Sequence, residues 1–127
     1  MPHSFQTLSP ADGSVFVERP WATPAQLESV LAAAAAAAPG WRSTTLADRV
    51  AVVEQAVQWL EARQDVLAEE LTRQMGRPIR YSAGEIRGMA DRARTMSALA
   101  PAALADITPA PTAGFTRFIQ RVPLGLV

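Results

Sequence analysis

The chain has 127 residues, which suits one domain, and its twelve Arg balance twelve Asp plus Glu with no Lys. This neutral balance gives no general reason to expect nucleic acid, an anionic membrane or an acidic substrate as partner. The sequence contains no Cys, which excludes disulfides, thiolate nucleophiles and Cys-ligated metals in this chain. With no secretory signal pattern and no apolar run of membrane-spanning length, a cytoplasmic protein is expected.

The first elements are a turn with a short strand, then a capped helix. Residues 8–19 combine the turn sequence PADG with a β-prone run. Thr23 and Gln26 form a T-x-x-Q capping box around Pro24, which predicts the start of a helix. The dipeptide at 39–40, Pro-Gly, predicts its end.

Two further helices are predicted, and all helices fall within residues 24–107. Apolar residues stepping by threes and fours predict one long second helix from Leu46 to Met75, which Gly76 would end. Ser82 and Glu85 form an S-x-x-E capping box that predicts the start of the third helix, with Pro101 near its end or at a kink. A shorter helical piece is expected up to Ile107.

The last part of the sequence changes character. Residues 108–114 are Pro-rich and predict an exposed linker. Residues 115–122, FTRFIQRV, predict a strand, and residues 123–127, PLGLV, begin another apolar strand-like run. Such a strand would present an unpaired edge.

A basic segment between Arg73 and Arg94 contains six Arg against two acidic residues. One interpretation is phosphate binding beside a helix N-terminus, and another is a nucleic-acid surface. Tyr81 is the only aromatic residue among the arginines, so base stacking has little support. We interpret the segment as structural, because Arg87 and Asp91 are spaced to pair with each other and Glu85 would occupy the helix N-terminus.

No complete active site is predicted: we expect no catalytic, cofactor-binding or metal-binding residue in this chain. The single His, His3, lies near the terminus, and carboxylate pairs such as Glu61 and Asp65 fit the solvated side of a helix. Tryptophan and methionine are interpreted as core or joint packing; these residues are Trp21, Trp41, Trp59, Met75, Met89 and Met96.

The order of these motifs resembles the amino-terminal portion of the aldehyde dehydrogenase superfamily. The matching sequences are PADG (10–13), APGW (38–41), TLADRV (45–50), MGRP (75–78), EIRGMADRAR (85–94) and RVPLGLV (121–127). The resemblance implies a mostly α segment with short β-strands, the N-terminal helical part of an α/β aldehyde dehydrogenase fold, truncated before the Rossmann-like cofactor sheet.

In that family this portion is a scaffold. The resemblance implies that residues 1–127 form a single N-terminal segment, and that its last strand joins the oligomerisation sheet. The resemblance implies a complete enzyme that oxidises an aldehyde with NAD or NADP as a homo-oligomer. The family's oxyanion-stabilising Asn, nucleophilic Cys and general-base Glu lie beyond the matched motifs, so none is carried over. We therefore expect the chain to be inactive alone, to bind no cofactor, and to have the remainder of the dehydrogenase as its partner.

The alternative is a free-standing helical interaction module. It would dock on a full-length relative by adding the strand at 115–122 to that protein's sheet. The residues predicted for an oligomer or partner strand are Phe115, Arg117, Phe118, Ile119 and Arg121.

Overall fold

The structure is a computed structural model, and residues 4–126 are described. In chain order, its elements are β1 (Ser4–Leu8), β2 (Val15–Pro20), α1 (Pro24–Ser43), α2 (Leu46–Glu61), α3 (Gln64–Met75) and α4 (Ile79–Ala103). The predicted class, mostly α with short strands, is confirmed. His3 and Val127 lie outside the described residues.

The two strands form an antiparallel hairpin, with a bulge where Leu8 pairs with Val15. In the turn between them Gly13 has a φ of 72°, and the Asp12 carboxylate accepts hydrogen bonds from the Ser14 N–H and hydroxyl at 3.0 and 2.7 Å. These bonds, the backbone one foremost, lower the pKa of Asp12. β1 was not predicted from the sequence, because a strand of five residues depends on its partner for stability.

The start of α1 is confirmed and its end is corrected. The Gln26 N–H donates to Thr23 Oγ1 at 3.2 Å, and the Thr23 N–H donates to Gln26 Oε1 at 2.8 Å. The helix passes Pro39 and ends at Ser43, where the Thr44 hydroxyl donates to the Trp41 carbonyl at 2.6 Å. Because Pro39 has no backbone N–H, one hydrogen bond along the helix is missing, and α1 continues past it.

The predicted long helix from Leu46 to Met75 is wrong, because it is divided into α2 and α3 at residues 62–63. The Arg63 side chain donates to the Trp59 carbonyl at 3.2 Å, which satisfies one free carbonyl at the end of α2. Its guanidinium also lies 4.0 Å from the centre of the Trp59 ring. The break allows both helices to pack against α4.

The chain reverses between α3 and α4 at Gly76, whose φ of 72° confirms the predicted left-handed stop. The predicted helix start at Ser82 is wrong, since α4 begins at Ile79 after Pro78. Ser82 lies inside the helix, fully buried, with its Oγ 2.9 Å from Thr72 Oγ1 on α3. Helical turns already begin at Ile79, directly after the N-cap residue Pro78, so the S-x-x-E motif lies inside the helix and is not used as a cap.

The buried apolar core is small. Among the described residues it consists of Val57 on α2, Ala68 on α3 and Ala90 on α4. Two of the three are alanine, which allows the helices to approach closely. The predicted core role is wrong for all three tryptophans and for two methionines, Met75 and Met96, because these side chains are more than half exposed.

The region after α4 contains no regular strand within residues 104–126. Ile107 and Ile119 exchange two backbone hydrogen bonds, at 3.0 and 2.8 Å, and Thr112 pairs with Phe115 at an isolated bridge. The predicted strand at 115–122 is therefore not formed, because a strand needs a continuous partner and only single residues pair here.

Replacement of Gly76 by Ala should destabilise the chain by about 1–3 kcal/mol. Alanine at this position would have to adopt a positive φ, and its Cβ would lie 2.9 Å from Pro10 Cγ. Gly88→Ala is the matched control, because Gly88 is in the interior of α4 with open space around it and should gain up to about 1 kcal/mol. Urea unfolding measures both changes; equal stability of Gly76→Ala and the parent would contradict the steric argument.

The Thr72–Ser82 pair should contribute through one shared hydrogen bond. Thr72 Oγ1 can also donate to the Ala68 carbonyl at 3.0 Å, and Ser82 Oγ to the Pro78 and Arg77 carbonyls at 3.3 and 3.4 Å, so either hydroxyl can be the donor in the pair. Thr72→Val and Ser82→Ala should each cost about 1 kcal/mol, and the double variant should cost less than the two together. Additive costs in urea unfolding would mean that the bond is not formed; Thr95→Val, on the exposed part of α4, should leave stability unchanged.

Candidate functional site

Several arginines of the basic segment form contacts with other side chains of the same chain. Arg73 pairs with Glu69 at 3.0 Å and Arg77 pairs with Glu85 at 2.6 Å. Glu85 thus lies in the second turn of α4 and does not occupy the helix N-terminus, which corrects that expectation. The structural interpretation of these arginines is supported by their contacts, although all four side chains remain partly exposed.

The predicted pair between Arg87 and Asp91 is not the contact that forms. The Arg87 guanidinium instead donates to Gln64 Oε1 at 3.3 Å, which joins α4 to the start of α3. The Arg80 guanidinium lies 4.7 Å from the centre of the Tyr81 ring. A bond between helices replaces the one along the helix because α4 packs directly on α3.

The most extensive polar cluster joins Arg94 on α4 to two carboxylates on α2. Arg94 donates to both oxygens of Glu54 at 3.0 and 3.2 Å, and to both oxygens of Glu61 at 2.7 and 2.8 Å. Glu54 and Glu61 are seven residues apart, two helical turns, so both lie on the same face of α2. Planar guanidinium groups are suited to such paired contacts.

This cluster shifts the ionisation of its members. Hydrogen bonds from Arg94 lower the pKa of Glu54 and of Glu61, and the two carboxylates in turn raise the pKa of Arg94. The guanidinium is committed to these two carboxylates, so it is not available as a phosphate ligand. Sequence reasoning missed the two partners, since Glu61 had been assigned to a solvated face.

The predicted partner-strand residues are brought together only in part. Ile119 is joined to Ile107, the Arg121 guanidinium donates to the Ala103 carbonyl at 2.6 Å, and Arg117 donates to the Ala110 carbonyl. Phe115 and Phe118 are exposed by 72% and 58%. The role of these five residues as an oligomer or partner strand stays a prediction.

Neither metal-ligand chemistry nor a membrane span is found in residues 4–126. No group of three or more His, Cys, Asp or Glu side chains in that range could hold a metal ion. No helix in the same range is long and apolar enough to cross a membrane. A polar recess of about 320 Å³ beside the hairpin turn contains Asp12, Ser14 and Arg73, and the Asp12 carboxylate there is already hydrogen-bonded to Ser14.

The Arg94 cluster should make stability depend on pH in the acidic range. The folded-state pKa values of Glu54 and Glu61 lie below 4.5, so the stabilisation is fully present above that pH and is lost as the pH falls through the lowered values. Arg94→Leu should therefore lower the urea midpoint at neutral pH and change it much less below the lowered pKa values. Arg92→Leu, an exposed neighbour on α4, is the control; equal effects of both variants at every pH would contradict a role for the cluster.

Comparisons with known proteins identify the family. The family model described as the aldehyde dehydrogenase family matches residues 2–127. The N-succinylglutamate 5-semialdehyde dehydrogenase of Pseudomonas fluorescens is 36% identical over 89 residues, which cover 70% of this chain and 18% of that protein. The succinate semialdehyde dehydrogenase Sad of Escherichia coli is 32% identical over 80 residues, 63% of this chain and 17% of that protein.

Solved structures agree with the sequence matches. The putative aldehyde dehydrogenase of Burkholderia cenocepacia superposes with a TM-score of 0.85 at 28% identity, over 95% of this chain and 25% of that one. PnpE, solved in complex with nicotinamide adenine dinucleotide, gives the same TM-score and coverage at 27% identity. The chain thus spans about a fifth to a quarter of the length of the relatives it matches. The chain belongs to the aldehyde dehydrogenase family.

Proposed function

We propose that this chain is the amino-terminal scaffold portion of an NAD(P)-dependent aldehyde dehydrogenase that oxidises an aldehyde to a carboxylic acid. The observation that carries the proposal is the superposition of 95% of this chain on one quarter of the Burkholderia cenocepacia dehydrogenase. The NAD-bound PnpE structure, matched over the same share, supports a nicotinamide cofactor for the complete enzyme.

The chain supplies structure to this reaction and not its chemistry. Oxidation of an aldehyde in this way needs a group that adds to the carbonyl carbon and an acceptor for the hydride that leaves it. The sequence has no Cys and a single His. Its ionic clusters, such as Arg94 with Glu54 and Glu61, join helices to each other. We therefore propose that this chain alone neither turns over an aldehyde nor binds the cofactor. As a further part of the proposal, the complete enzyme is a cytoplasmic homo-oligomer.

The interaction module is a second candidate, supported by one observation. Phe115 and Phe118 are large apolar side chains that remain exposed in a segment without a continuous strand partner. Addition of this segment to the sheet edge of a full-length relative would pair its backbone and cover those rings.

Two measurements test the proposed function. We expect immunoblots of the native cells to show a species several times heavier than 13.6 kDa, and immunopurified material to reduce NAD or NADP in the presence of an aldehyde. The isolated 127-residue chain, given the same aldehydes and cofactors, should produce no reduced nicotinamide. A native species of 13.6 kDa would instead favour the interaction module, and turnover by the isolated chain would refute its scaffold role.

A further inference from the structure

We draw no further inference here: the strongest candidate, the groove of about 410 Å³ that Arg49 and Arg121 line between the start of α2, the end of α4 and residues 121–123, carries no proposal, because nothing in the structure shows what covers it.

Discussion

The reversal of the chain at Gly76 determines which helices meet. It turns α4 back along α3, and α4 then extends to α2. Two polar contacts fix this arrangement: Ser82 with Thr72 near the reversal, and Arg94 with the α2 carboxylates further along. Ser82 and Arg94 are about 18 Å apart along the helix. Two fixed points at that separation define the crossing of α4, even though the buried apolar core is small.

Features that depend on a few neighbouring residues could be predicted from the sequence. The Thr23 capping box and the left-handed Gly76 stop are such features, since each is decided within a single turn of chain. The Ser82 motif has the same kind of pattern, but its prediction was wrong, because α4 already begins at Ile79 and Ser82 is a buried contact with α3. The break after α2 also depends on tertiary packing, which helical spacing along one stretch does not encode.

At the candidate site, too, the contacts between residues far apart in the sequence could not be predicted. The prediction that the arginines are structural rested on an Arg87–Asp91 pair and on Glu85 at the helix N-terminus. The structure shows other contacts for both residues, with Gln64 and Arg77, and these contacts still support a structural interpretation. The partners of the arginines were not predictable, because Arg94 meets Glu54 across 40 residues of sequence and Arg87 meets Gln64 across 23. The family followed from the order of short motifs along the chain. No single constellation of side chains would have indicated it.

Many polar groups of the chain find partners within it, whereas several of its large apolar side chains remain exposed. In residues 4–126 no buried side-chain N or O atom lacks a hydrogen-bond partner, and Arg73, Arg77 and Arg94 pair with carboxylates of the same chain. Large apolar side chains on α1 and the final residues remain exposed. A body with internally paired charges and uncovered apolar faces associates by burying area, with little dependence on salt. That combination of paired charges and exposed apolar side chains is consistent with the scaffold role proposed above.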